Sequence, residues 1–124
     1  MAELNEECKD IPYTMGRLFA LLEELQERAI DGVTTTITKR YFSNASILPG
    51  RTYPILLDLA GHHLRKIKKI SVRTYFEKEI EKMLQIIGPK FPARFTQEEK
   101  GSFMLGYYCQ KQKRFEKKLV NDVK

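Results

Sequence analysis

Cysteine and long apolar runs are scarce in this sequence, and tryptophan is missing altogether. The two cysteines, Cys8 and Cys109, have no CxxC spacing, so neither a disulfide framework nor a cysteine metal site is expected. No apolar run approaches the ~18 residues of a membrane-spanning helix, and the acidic N-terminus is unlike a secretory signal. We therefore predict a reduced, cytoplasmic protein that does not contact a membrane.

Signatures of catalysis are also absent from the sequence. It has no HExxH motif, no Gly-rich phosphate loop, and no spacing that suggests a Ser/His/Asp or Cys/His arrangement. The only histidines, His62 and His63, are adjacent and would point about 100° apart on a helix, which suits one metal ion poorly. We expect no enzymatic activity, no metal and no cofactor, with His63 packed inward through a satisfied hydrogen bond and His62 near the surface. A metal-dependent nuclease using both histidines and Asp58 is the alternative.

Helical periodicity is the main positive signal, and it predicts an all-α fold, a compact antiparallel bundle of about five helices. The length of 124 residues, 42% of them hydrophobic, fits one domain over 1–124 with its own core. Within it we expect a flexible N-terminus over 1–11 and a frayed C-terminus over 118–124. The predicted helices cover 12–30, 35–44, 52–67, 72–87 and the chain from 96 onward, with a turn at 46–51 that contains Pro49-Gly50.

The apolar positions define an inner face for each helix. In chain order they are Met15, Leu18, Phe19, Leu22, Leu25, Ala29, Ile37, Tyr41, Ala45, Ile55, Leu56, Leu59, His63, Ile67, Phe76, Ile80, Met83, Leu84, Ile87, Phe103, Met104, Tyr107, Tyr108 and Phe115. Gly16 and Gly106 lie inside helical patterns, where glycine costs about 1 kcal/mol relative to alanine, so close helix approach is expected at both. Thr96 and Glu99 have the spacing of a capping box, and Arg17 is expected to form a salt bridge or an interface contact.

Charge is distributed unevenly along the chain. Residues 1–31 have eight acids and three bases, whereas residues 32–124 have eight acids and nineteen bases, a net charge of +11. An excess of this size is typical of proteins that bind a polyanion. Lysine-rich solvated faces that bind nothing are also common. From charge alone, both interpretations remain open.

Local clustering selects the candidate nucleic-acid contacts. Five bases fall between Arg65 and Arg73 with no acid among them, whereas a solvated face usually mixes both signs. No aromatic residue alternates with the bases from 65 to 69, so we expect phosphate contacts, which position a strand without reading its sequence. Tyr41 and Phe42 are interpreted as core residues rather than base-stacking ones. The full candidate set is Lys39, Arg40, Arg65, Lys66, Lys68, Lys69, Arg73, Lys111, Lys113 and Arg114.

Several segments, in this order, resemble one protein family. They are MGRLFALLEELQERA (15–29), KRYFSNAS (39–46), YPILLDLAGHHLRKI (53–67), FPARFTQEEKGSF (91–103) and GYYCQKQ (106–112). Together they resemble the C-terminal region of the large subunit of type I-C CRISPR Cascade, over residues 12–115. The family commonly has leucine at the position of Met15 and often histidine at that of Cys109. In this subtype the same region is also made as a free small subunit by internal translation. Because the sequence begins at methionine and contains only this region, we expect the free form.

The resemblance implies a non-catalytic role in an antiviral RNA-guided surveillance complex. Its partners would be crRNA and both strands of target DNA, mainly through their backbones, together with the backbone and large subunits and further copies of itself. There it would stabilise the crRNA–target heteroduplex and the displaced strand of the R-loop. The alternative is a helical protein-interaction module with no nucleic-acid role, in which the acidic first helix (Glu23, Glu24 and Glu27) docks a basic partner.

Overall fold

Five helices make up the fold. The computed structural model describes residues 8–30 and 36–123, with side chains described for 8–30 and 37–113. The helices are α1 (Ile11–Ala29), α2 (Thr36–Ile47), α3 (Pro49–Lys66), α4 (Ile70–Ile87) and α5 (Gln97–Val123). No strand occurs within these described residues. The all-α bundle is therefore confirmed, while the extent of the domain and the character of its termini stay predictions.

Helix α1 is the central element of the bundle. Its N-terminus is capped by Asp10, whose carboxylate accepts a hydrogen bond from the backbone N–H of Tyr13 at 3.0 Å. The predicted apolar face is confirmed as buried from Met15 to Leu25, and its last member, Ala29, is partly buried against the core. Ala20 and Leu21, on other sides of the helix, are buried too. Such all-round burial is typical of a core helix, and α1 indeed contacts each of the other four.

Helices α1 and α5 approach backbone to backbone, as the two glycines predict. A Cβ atom at Gly16 would overlap the carbonyl oxygen of Phe103 and lie 2.8 Å from the backbone nitrogen of Tyr107. A Cβ atom at Gly106 would overlap the carbonyl oxygen of Tyr13. Only glycine leaves room for this crossing, which accounts for two residues that are unfavourable inside helices.

The buried face of α5 is narrower than the sequence pattern predicts. Phe103 and Tyr107 are buried, but Met104 and Tyr108 are 44% and 59% exposed, so their assignment to the inner face was wrong. The face is centred on Gly106 because α1 contacts the helix there. At its start the capping box is confirmed: the Thr96 N–H donates to Glu99 Oε1 at 2.7 Å, and the Glu99 N–H donates to Thr96 Oγ1 at 3.1 Å. The side chain of Phe115 lies outside the described ones.

The predicted turn around Pro49-Gly50 is the second correction. Both residues belong to the first turn of α3, where proline is compatible with a helix, and Leu48 alone links α2 to α3. Ile55 was expected inside and is 48% exposed. The inner face of α3 instead includes Pro49, Thr52 and Tyr53. The hydroxyl of Tyr53 donates to the carbonyl oxygen of Met15 at 2.5 Å. This bond fixes the rotation of α3 and turns Ile55 outward.

Candidate nucleic-acid interface

The link between α3 and α4 presents a group of bases on the protein surface. We call Arg65, Lys66, Lys68, Lys69 and Arg73 the junction cluster. The first four residues are exposed and Arg73 is half-buried. The side chain of Ile67, between them, is buried in the core. This apolar anchor holds the short link against the bundle, so the flanking lysines project from a fixed backbone.

The helix ends at the junction add to its positive potential. Lys69 is the N-cap residue of α4 and makes no side-chain capping bond, and the first turn has no acid. The backbone N–H groups of that turn therefore have no side-chain acceptor there, and the positive end of the helix dipole faces the link. At the end of α3, Arg65 and Lys66 lie where cations are favoured by the dipole. A helix N-terminus beside lysines is suited to phosphate.

Local acids offset little of this charge. The guanidinium of Arg65 donates to Nδ1 of His62 at 2.8 Å, and Nε2 of His62 lies 3.8 Å from the carboxylate of Asp58. Arg73 lies 3.7 Å from Glu77, an exposed pair of the kind that contributes little. Among the described residues, none of the ion pairs involves the other four members of the cluster. The junction therefore keeps most of its positive charge.

The remaining candidate bases lie on other helices. Lys39 and Arg40 are exposed on α2. Lys113 is half-buried on α5 and already interacts within the protein. The side chain of Arg114 lies outside the described ones. Five of the ten candidates thus lie within nine residues of chain at the junction of α3 and α4.

Lys111 points to a buried carboxylate rather than to solvent. Its Nζ lies 3.7 Å from Glu23 Oε1 and 3.3 Å from the hydroxyl of Tyr107. Glu23 is 1% exposed and also accepts hydrogen bonds from Tyr107 at 2.8 Å and from Thr38. Burial, followed by the hydrogen bond to Glu23, raises the pKa of Tyr107. This network joins α1, α2 and α5.

The same network corrects the alternative hypothesis of an acidic docking helix. Glu23 cannot be presented to a basic partner because its carboxylate is inside the bundle. Glu24 and Glu27 are half-buried and have interactions within the protein. The acidic side chains predicted to dock a partner therefore mostly make contacts within the bundle.

The histidine pair divides as expected, with one difference. His63 is buried and His62 is exposed, but Nδ1 of His63 has no hydrogen-bond partner, so the predicted satisfied bond was wrong for this atom. Burial, with smaller effects of Lys66 and His62, lowers the pKa of His63. In the part of the chain that is described, no group of three or more metal-ligating side chains occurs. Nor is any described helix long and apolar enough to cross a membrane.

Sequence reasoning did not find the environment of Arg17. This residue is 5% exposed, and its Nε donates to the amide oxygen of Gln110 at 3.0 Å instead of to a carboxylate. The salt bridge, one of the two contacts expected for Arg17, is therefore wrong for the described residues, and the interface contact stays a prediction. A charge flanked by Gly16 and Leu18, both on the face that packs, was the available signal.

The fold and the junction cluster define a class: an all-α protein with exposed bases beside a helix N-terminus. The sequence matches the protein-family model described as CRISPR-associated protein (Cas_Csd1) over residues 1–115. Because this match covers most of the 124 residues, the chain belongs to this family of CRISPR-associated proteins. No curated protein matches the chain.

Proposed function

We propose that this protein is a non-catalytic component of a type I-C CRISPR surveillance complex and contacts nucleic-acid backbones through the junction cluster. Membership of the CRISPR-associated family supports the setting. The observation that carries the contact is the cluster itself, whose exposed lysines flank an uncapped helix N-terminus. We leave Lys111 out of the surface because it contacts Glu23.

The physical role of such a surface is to hold a strand rather than to read it. In RNA-guided recognition, base pairing supplies the sequence specificity, and protein stabilises the backbone and the displaced strand. Each neutralised phosphate releases counterions, so the contribution of each lysine is independent of sequence and falls with salt. The cluster would therefore lengthen the lifetime of an R-loop without altering the choice of target.

Within that complex we propose the role of small subunit, beside the crRNA-bearing backbone subunits, the large subunit and further copies of this chain. The ordered motifs that resemble the C-terminal region of the type I-C large subunit support this role. Reconstitution tests it directly: backbone subunits and crRNA are assembled with and without this protein. Slower loss of target DNA in its presence is expected. Equal target binding in both assemblies would refute the role.

Charge reversal tests the contact surface. Fluorescence anisotropy with labelled single-stranded and duplex DNA would compare the wild type with the Lys68→Glu/Lys69→Glu variant. Loss of two phosphate contacts should weaken binding about tenfold at physiological salt. The matched control is Lys90→Glu/Arg94→Glu, because both residues are exposed in the link before α5 and the change in charge is the same. Equal losses in the two variants would count against the cluster.

One observation favours a second function, protein contact without nucleic acid. Met104, Leu105 and Tyr108 form an exposed apolar face on α5. A protein partner is a common reason for such a face. If the chain joins the reconstituted complex through this face, a Tyr108→Ser variant should lose incorporation while Lys68→Glu/Lys69→Glu keeps it. If the Lys68→Glu/Lys69→Glu variant also leaves target binding by that complex unchanged, the second function replaces the first.

A further inference from the structure

Arg17 is a buried cation that forms no ion pair with a described residue. It is 5% exposed within α1. Its one described side-chain bond goes to the neutral amide of Gln110. None of the ion pairs between described residues includes it. A buried guanidinium without an opposite charge is unusual, because desolvation of a charge is costly unless it is paired.

The guanidinium also has unused hydrogen-bonding capacity. An arginine side chain has five N–H donors in a planar fork, and Gln110 accepts from Nε alone. The terminal amino groups, which form the bidentate edge that recognises carboxylates and phosphates, are not engaged by Gln110. These amino groups are therefore the part of Arg17 that can meet an oxyanion.

A cavity of about 150 Å³ lies beside this side chain, between α1 and α4. Its walls are Arg17, Glu79, Lys82, Met83 and Ile86. The space is large enough for several waters, and hence for a tetrahedral oxyanion, but is below the ~300 Å³ of pockets that hold larger ligands. The cavity therefore admits a single small group and excludes a whole nucleotide.

The charges on the walls favour an anion. Lys82 Nζ lies 3.2 Å from Glu79 Oε2, so these two residues neutralise each other and Arg17 supplies the net charge. Lys82 is 74% exposed at its side chain and can reach an entering ligand without breaking core contacts. A cation on each side of the cavity, Arg17 on α1 and Lys82 on α4, suits a phosphate better than a carboxylate, since a phosphate has oxygens and charge for both.

We propose that the cavity between α1 and α4, which we call the Arg17 cavity, binds one phosphate-sized oxyanion. Arg17 donates from its terminal amino groups, and Lys82 contributes the second cation from the rim. This inference does not rest on the proposed function, because inorganic phosphate alone is sufficient to test it. If the oxyanion is a backbone phosphate, the cavity adds a contact separate from the junction cluster.

The test is a titration of ¹⁵N-arginine-labelled protein with sodium phosphate, followed by NMR at the Nε–H signal of Arg17. Sodium chloride at matched ionic strength is the control for screening. A saturable shift with phosphate and none with chloride is expected. Arg17→Lys should weaken binding at least about tenfold, because it removes the bidentate edge. This variant is labelled uniformly with ¹⁵N, so that the backbone amide signals around the cavity report binding.

Two exposed or partly exposed positions keep the test independent of folding. Lys82→Gln should weaken phosphate binding by about two- to fivefold, the range of an exposed ion pair. Glu79→Gln should tighten phosphate binding, because it removes a negative charge from the wall of the cavity. If Glu79 is instead the counter-ion of Arg17, Glu79→Gln will lower stability and phosphate will not bind. That result would overturn the proposal.

Two further probes identify the source of the anion. A short single-stranded oligonucleotide that displaces phosphate assigns the bound group to nucleic acid, and failure to displace it assigns a free anion; either outcome supports an oxyanion site for phosphate. Sodium acetate is the second probe, and it represents a carboxylate. If acetate binds and phosphate does not, a carboxylate of a protein partner occupies the cavity and the assignment to phosphate is wrong.

Discussion

One added methyl group at Gly106 should destabilise the protein markedly. In the Gly106→Ala variant, the new Cβ atom would overlap the carbonyl oxygen of Tyr13 and lie 3.1 Å from its Cα atom. Both neighbours are backbone atoms and cannot rotate away, so α1 and α5 must separate. Since these two helices share the most extensive contact in the bundle, the strain reaches the core.

The magnitude follows from two opposing effects. Overpacking of this kind costs about 1–3 kcal/mol, and contact with backbone places it at the upper end. In the opposite direction, alanine has a higher helix propensity than glycine, which stabilises the helix by about 1 kcal/mol. A net loss of about 2 kcal/mol is expected, which corresponds to a fall in Tm of about 8 °C for a domain of this size.

The matched control is Gly101→Ala, on the same helix. No atom lies within 4 Å of the added Cβ there, so only the helix preference acts and Tm should rise by up to about 4 °C. Circular dichroism during heating measures both variants. A Gly106→Ala protein that melts at or above the wild-type temperature would refute the close crossing of α1 and α5.

Three other variants test separate parts of the structure. Because burial lowers the pKa of His63 below its ordinary 6.5, the unfolded chain takes up the proton more readily. The free energy of unfolding, measured in urea, should therefore fall as pH drops below 6.5, by at most about 1.4 kcal/mol per pH unit. His63→Leu should lose this part of the dependence, and an unchanged pH profile would contradict it. Tyr107→Phe removes a hydrogen bond to the buried Glu23 carboxylate and should lower stability by about 1.5–3 kcal/mol; a neutral effect would show that this hydrogen bond contributes nothing. Thr96→Ala removes the capping-box hydrogen bond and should lower the free energy of unfolding by about 1 kcal/mol; an unchanged value would show that the capping box does not stabilise α5.

Local signals predicted much of this fold correctly. The capping box of Thr96 and Glu99 depends on residues three apart, so the sequence contains the whole interaction. Gly16 and Gly106 were identifiable because glycine inside a helical pattern requires a compensating contact. The helical class follows from periodicity over long segments, which neighbouring structure seldom overrides.

Contacts between distant segments were harder to predict. Ile55, Met104 and Tyr108 have apolar side chains at positions compatible with an inner face, but the width of that face depends on where the partner helix crosses. The burial of Glu23 depends on Tyr107 and Lys111, more than eighty residues away in sequence. The spacing of apolar residues within one helix does not indicate which residues of two distant helices will meet.

The candidate surface was predictable only in part. The junction cluster lies within nine residues of the sequence, and four of its five bases are exposed as a surface site requires. Lys111 belongs to an equally basic stretch, yet it contacts Glu23, because a buried carboxylate is costly unless a cation or hydrogen bonds accompany it. Charge density in sequence therefore indicates where bases are, while the fold decides which of them meet solvent.

The salt dependence of DNA binding tests the central claim most directly. The logarithm of the binding constant for single-stranded DNA would be measured against the logarithm of salt concentration for the wild type and for Lys68→Gln/Lys69→Gln. The slope should become less steep by about 1.4, since each phosphate contact contributes about 0.7. Lys90→Gln/Arg94→Gln should leave the slope unchanged. Identical slopes for the wild type and Lys68→Gln/Lys69→Gln would contradict a phosphate-binding role of the junction cluster.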